Sequence, residues 1–193
     1  MRKYMAIAAL AILTSCGGSS ENTPAQEAKK DEPLTQTKNS SDFNVKFTDL
    51  LNNYYHLKDA FVLSNSDMAT SSASLLVTSA DGLKLDEVKA DSSIVEMAKG
   101  YLQTVSSEAK ALGQEKDIEA KRKSFQIISD AMYDLVRTVR FDKDVVYHQF
   151  CPMAFNDAGA YWLSATADVK NPYFGRKMLT CGEVKDSIDF RGK

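Results

Sequence analysis

Two short stretches near the C-terminal end, HQFCPMAF (residues 148–155) and MLTCGEV (178–184), each place one cysteine beside one methionine, in a chain with three cysteines in all. Cys151 and Met153 are two apart, and Pro152 between them disfavours helix. In an extended segment residues i and i+2 point to the same side. Met178 and Cys181 are three apart, so a single turn brings them onto one face. Facing each other, the two pairs would make a set of two thiolates and two thioethers. Such ligands select Cu(I) and related soft ions over hard ones. His148, three residues before Cys151, adds a candidate imidazole. It is the weakest member, because beside Tyr147 and Phe150 it reads first as a packing or surface residue. The tail has no comparable cluster of carboxylates, so calcium and magnesium are not expected.

Other readings of the same residues stay open. A Cys151–Cys181 disulfide would close a loop of about 30 residues and contribute roughly 3–4 kcal/mol. Met153 and Met178 could be flexible core fillers, and the two cysteines could be free and buried. Catalysis is not expected. A nucleophilic Cys151 with His148 as its base would need an orienting third group and an oxyanion site, and the sequence supplies neither. Glycine-rich phosphate loops and zinc-type CxxC pairs are absent as well.

The N-terminus bears on where these sulfurs would work. Arg2 and Lys3 precede a short apolar run from Tyr4 to Leu13, too short to span a bilayer core of about 30 Å. The run ends in Leu13-Thr14-Ser15-Cys16, followed by Gly17-Gly18. This is a signal-peptide pattern, and the tetrapeptide resembles the lipobox of bacterial lipoproteins, in which the cysteine is acylated and becomes the first mature residue. Residues 1–15 are therefore expected to be removed, with Cys16 carrying the lipid that holds the protein to the membrane of the cell envelope, on its periplasmic or outer-surface face. The 24 basic residues less Arg2 and Lys3, set against 26 acidic ones, give the mature chain a net charge of −4. That balance argues against nucleic acid as a partner.

Residues 16–42 read as the lipidated cysteine and a disordered tether, with Leu34 the only large apolar residue in 17–42, and thus unable to offset its ordering entropy by burial. As a flexible coil it would span about 28 Å.

The elements that must position the sulfurs follow. Phe43, Phe47, Leu50, Leu51, Tyr54, Leu57 and Phe61 recur at spacings of three and four, which predicts an amphipathic helix capped by Ser41 or Asp42. A weaker stripe of Met68, Ser72, Leu75, Leu76 and Ser79 closes at Gly82. Ser93 with Glu96 reads as a capping box ahead of Ile94, Ala98, Leu102, Val105, Ala109 and Leu112, with Gly113 as the stop. The fourth stripe begins near Asp117 and runs through Phe125, Ile128, Met132, Leu135 and Val139 to about Arg140. Charged runs such as Lys121-Arg122-Lys123 read as solvated faces. Short connections imply antiparallel neighbours. The expected fold class is all-α: an up-down four-helix bundle over residues 43–140, with an irregular segment of short strands and turns, residues 141–193, packed on it as part of the same domain. In that segment Pro152, Gly159, Pro172, Gly175 and Gly182 exclude long helices, Val145-Val146-Tyr147 is β-prone, and one helical turn is expected after Gly159. Tyr161, Trp162, Tyr173 and Phe174 are expected to dock it.

The tail also carries a resemblance. Tyr147-x-Gln149-Phe150-Cys151-Pro152-Met153-Ala154, then Gly159-Ala160-Tyr161-Trp162-Leu163-Ser164, Asn171-Pro172-Tyr173-Phe174-Gly175 and Met178-Leu179-x-Cys181-Gly182, resembles a domain family of unknown function common in Bacteroidetes-type lipoproteins. It is similar to a domain appended to some heavy-metal efflux adaptor proteins of the copper/silver type. The resemblance spans about Phe43 to Val184. It implies a helical domain linked to metal handling, with an efflux adaptor or other envelope protein as partner.

Together these observations lead to the expectation of a lipid-anchored protein that buffers or hands on Cu(I) through Cys151, Met153, Met178 and Cys181, with His148 as the least secure ligand. The alternative is a structural or protein-interaction lipoprotein with a Cys151–Cys181 disulfide and no metal. Intact-mass measurement of membrane-extracted protein is expected to show a chain beginning at Cys16 with a lipid adduct. An unmodified Cys16 in the mature form would remove the anchor.

Overall fold

The computed structural model describes residues 39–192. The segment expected to be a signal peptide, Cys16 and the expected tether as far as residue 38 lie outside the described residues. Four long helices come first: α1 (Ser41–Val62), α2 (Ser66–Gly82), α3 (Ser92–Gln114) and α4 (Ile118–Thr138). The stripes at helical spacing are their buried faces: Phe43, Phe47, Leu50, Leu51, Tyr54, Leu57 and Phe61 on α1, and Phe125, Ile128, Met132, Leu135 and Val136 on α4. Each helix packs on the next in sequence. From α2 the buried residues are mostly small, Ala69, Ser72, Ala73 and Ala80 around Leu76, which lets its neighbours approach closely.

The helix ends depart from the sequence expectation. Ser40 caps α1, accepting from the Phe43 amide at 3.1 Å, in place of Ser41 or Asp42. Asn39, assigned to the tether, is buried and donates from Nδ2 to the Val139 carbonyl at 2.8 Å. Asp91 holds the N-cap position of α3, so Ser93 lies inside the first turn and no capping box forms there. Gly113 is carried within α3, which ends at Gln114. Asp117 caps α4 as expected, accepting from the Ala120 amide at 2.9 Å. Two helices end on left-handed residues that are not glycine, Ser64 (φ 53°) and Arg140 (φ 50°). The Asn65 amide donates to Ala60 and the Phe141 amide to Val136, at 2.9 and 3.2 Å, closing the six-to-one bond of a Schellman turn.

Lys121 and Arg122, expected on a solvated face, are buried. Lys121 donates from Nζ to the Leu112 carbonyl at 3.0 Å and to Thr70 Oγ1 at 2.8 Å. It thereby adds a second donor to a carbonyl that the Glu115 amide reaches at 3.2 Å, at the C-terminus of α3, where a cation is favoured by the helix dipole. Arg122 reaches the other way, to the tail.

The tail forms a three-stranded antiparallel sheet of β1 (Val146–Cys151), β2 (Ala160–Ser164) and β3 (Glu183–Ile188), in the order β2-β1-β3. A strand follows Gly159 where a helical turn was expected. Its five residues pair with β1 in the register Tyr147 with Ser164 through Cys151 with Ala160, and its buried side packs on α4. The pairing of β1 with β3 is interrupted by a bulge between His148 and Gln149.

Two buried polar clusters fasten the tail to the helices. The outer-edge amide of Leu163 donates to Tyr54 Oη at 2.9 Å, and Tyr54 Oη lies 2.7 Å from Ser129 Oγ. Ser129 in turn donates to the Phe125 carbonyl at 2.8 Å, so the Tyr54 hydroxyl proton goes to Ser129. Burial raises the phenol well above its ordinary pKa, which keeps that proton in place. Arg122 donates from Nε to the Pro172 carbonyl at 2.9 Å, and from Nη2 to Ser64 Oγ at 3.1 Å and the Phe61 carbonyl at 3.3 Å. Glu119 pairs with its remaining arm. Gly175 (φ +56°) rests on the same α1–α2 turn, where a Cβ would crowd the Val62 and Phe61 carbonyls at 3.0 and 3.1 Å.

Tyr54→Phe keeps the ring and leaves the buried Leu163 amide without its acceptor. It is expected to cost about 1–3 kcal/mol and lower the melting temperature by several degrees. In a double-mutant cycle with Ser129→Ala the two effects should be non-additive. Additive effects would mean the hydroxyls do not act as one chain.

Candidate functional site

Cys151 is the last residue of β1 and fully buried. Pro152 turns the chain out of the sheet, and Met153 follows with 44% of its surface exposed. Cys181 arrives from the far end of the tail, just before β3. The two thiols are unbridged, with Sγ atoms 3.5 Å apart, and Cys181 Sγ lies 3.9 Å from Met153 Sδ. Three sulfurs therefore meet at one corner. The Cys181 pKa is raised, first by its hydrogen bond with the Cys151 thiol and then by burial. A metal bound here would have to displace thiol protons.

The placing of Cys181 rests on Asn171, which the sequence offered only within the resemblance, and on Gly182, which it offered as turn punctuation as well. Asn171 is buried, and each of its polar groups is engaged. Its Nδ2 donates to the Cys181 carbonyl at 2.7 Å, and its Oδ1 accepts from the Tyr173 and Phe174 amides at 2.8 and 3.2 Å. Its own amide donates to the Leu179 carbonyl at 2.7 Å. One side chain thus clamps both ends of the loop that carries Cys181. An Asn-Pro dipeptide is a recognisable turn initiator, so the signal was present, but not the residue it would hold. Gly182 (φ +140°) passes so close to β1 that a Cβ would sit 2.7 Å from the Phe150 carbonyl and 2.9 Å from Trp162 Cη2. Only glycine lets Cys181 come down onto the strand. On the same face, buried Gln149 donates from Nε2 to the carbonyls of Thr166, Ala167 and Asp168 at 3.1–3.2 Å, fixing the loop that follows β2.

Residues 50–144 match the model of a family described as a protein of unknown function, DUF3347. A DUF3347 domain is found there. It runs from within α1 to just ahead of β1, so it takes in the long helices and stops short of all three sulfurs. No curated protein and no solved structure matches the chain. Among the described residues no helix is long and apolar enough to cross a membrane.

The remaining candidates lie elsewhere around the DUF3347 domain. Met178 is half-buried on the 3₁₀ turn Gly175–Met178, and its carbonyl accepts from the Cys181 amide at 3.1 Å. Its sulfur is not part of the three-sulfur contact. His148 is on the opposite face of the sheet from Cys151. Its ring is stacked between Tyr133 of α4 at 3.9 Å and Tyr161 of β2 at 4.5 Å, and Tyr161 stacks in turn on Phe150 at 4.4 Å. Arg137 covers the Tyr133 end of this ladder and Lys185 the Phe150 end. A strand alternates its faces, so a residue three before Cys151 cannot share its side without a local break. The bulge at His148 leaves the two apart. Of the docking aromatics, Trp162 and Tyr173 are buried, and Tyr161 and Phe174 half-buried.

Burial lowers the His148 pKa to about 4, against a small opposing pull from Asp186. The unfolded chain, with its histidine near 6.5, then binds more protons than the folded one between those values. Stability from this group is complete above about pH 6.5 and is lost as pH falls toward 4. His148→Phe, which keeps the stack and removes the titration, is expected to flatten the fall of melting temperature over that window. An unchanged slope would place the effect on other groups.

Proposed function

We propose that this protein is a membrane-anchored extracytoplasmic lipoprotein that binds a soft metal ion, Cu(I) first, and serves as a buffer or hand-off partner for an efflux system. Its four long helices are read as an up-down bundle, the arrangement that short connections favour, with the sheet carrying the metal site at one end. The observation that supports this reading is the meeting of Cys151, Cys181 and Met153, with sulfur separations of 3.5 and 3.9 Å. Two thiolates and a thioether are ligands for soft ions. Among the described residues no three His, Cys, Asp or Glu side chains gather as a metal-holding group, so a metal here would depend on the thioether as well as the thiols. The reading leaves His148 and Met178 outside the ligand set, and it is one of binding rather than catalysis.

The same thiol pair supports a second reading. Sulfurs this close need little movement to join, and a disulfide across the loop would pin a tail that has little core of its own. In that case the protein is a structural or interaction lipoprotein without a metal.

One titration separates the two. Reduced protein is expected to hold one equivalent of Cu(I) in competition with a soft chelator. Cys151→Ser or Cys181→Ser should abolish this, Met153→Leu should weaken it by roughly tenfold, about 1.4 kcal/mol, and His148→Phe should leave it unchanged. Reduced protein that takes up no copper, and whose oxidised form melts well above the reduced form, would decide for the disulfide.

A further inference from the structure

Met153 belongs to two places at once. Its sulfur completes the corner beside Cys181, and its side chain also lines an open cleft of about 720 Å3 between the start of α4 and the turn that follows β1. That volume is in the range of ligand-holding clefts and would take a few residues of extended chain. The other two sulfurs are held from behind. Cys151 is part of the β1 ladder and fully buried, and Cys181 is fastened through its carbonyl by Asn171. Met153 is followed by Phe155, Asn156 and Asp157, all left-handed (φ 54°, 58° and 66°) and all on the cleft wall. Three consecutive residues with side chains held in this region are disfavoured, so backbone strain lies beside Met153 and not beside the two cysteines. Glu119 and Arg122 on the wall pair with each other. The other charges there are Lys123, Lys177 and Asp157, two positive against one negative, in a chain whose net charge is −2.

We propose that this cleft is the transfer port of the soft-metal site: Met153 is the exchanging ligand, and the cleft receives an acidic segment of a partner protein that brings its own thioether to the metal. The proposal rests on the soft-metal reading above and adds the route and the partner's chemistry. In the transfer the metal stays Cu(I). The bond to Met153 Sδ is replaced by one to the incoming thioether sulfur, the cysteine thiolates then release the ion and take up protons from solvent, and no electron moves. Lys123 and Lys177 draw the carboxylates of the segment in, an effect that speeds encounter more than it tightens binding.

The test uses the reduced full chain loaded with one equivalent of Cu(I), mixed at low salt with either of two synthetic ten-residue peptides. Both carry two methionines, flanked in one by aspartates and in the other by lysines. Transfer to the acidic peptide is expected to be roughly tenfold faster than to the basic one, a gap that closes as salt is raised. The double variant Lys123→Glu, Lys177→Glu should load the same single equivalent with the same affinity and lose the preference. In protein labelled at the methionine methyl groups, the Met153 resonance should shift when the acidic peptide is added, while that of Met97 on α3 stays. Normal loading with equal rates for the two peptides, or with a preference that survives the charge reversal, overturns the port and leaves the metal site standing. Loading that fails in the unaltered protein removes both.

Discussion

The amide of Leu163 is the polar group that the architecture must satisfy. It points off the free edge of β2 into the protein, where an unmade hydrogen bond would cost as much as several good contacts return. The only partner it makes comes from another element, the hydroxyl of Tyr54 on α1, and that hydroxyl is itself held by Ser129 of α4. The chain Leu163–Tyr54–Ser129–Phe125 therefore ties β2, α1 and α4 at one point. A three-stranded sheet with strands of five or six residues and an exposed β3 buries too little to stand alone. It borrows the helices' apolar face and pairs the free edge of β2 with the Tyr54 hydroxyl.

Everything at the sulfur corner is downstream of that attachment. With β2 fixed, the β1–β2 register fixes Cys151 opposite Ala160. Arg122 holds Pro172, which sets Asn171 beside it, and Asn171 then sets Cys181. Tyr54, which anchors Leu163 from 109 residues away in sequence, thus lies behind the placing of both thiols. The DUF3347 match, which ends at residue 144, covers the scaffold that performs this anchoring and not the corner it anchors.

The three sulfurs are also backed differently. Cys151 lies in a strand and Cys181 in a clamped loop, whereas Met153 precedes a left-handed turn and lines an open cleft. The aromatic ladder on the opposite face, from Tyr133 through His148 and Tyr161 to Phe150, closes the sheet against α4 and keeps His148 neutral and out of reach of the thiols.

Much was legible in the sequence because it is local. A stripe such as Phe43, Phe47, Leu50 and Tyr54 encodes a helix and its buried face in 3.6-residue spacing, and Asp117 declares its cap within four residues. The paired Cys-x-Met and Met-x-x-Cys words pointed to the tail, and there two thiols and one thioether come together. What spacing could not decide was anything requiring two distant segments to meet. Lys121 and Arg122 read as solvated because nothing nearby reveals that the α3 carboxyl end and the Pro172 carbonyl will lie over them. His148 read as a candidate ligand because strand alternation becomes binding only once β1 is known to be a strand. Met178, in a same-face spacing with Cys181, was left out of the sulfur contact by the turn that Asn171 imposes, and Met153 was brought in. Sequence by itself determined the helices, their inward faces and the residue types available for chemistry, since these depend on neighbours within a turn or two. The tertiary structure alone decided which sulfurs touch, because that depends on backbone carbonyls, glycine clearances and a buried hydroxyl contributed from far along the chain.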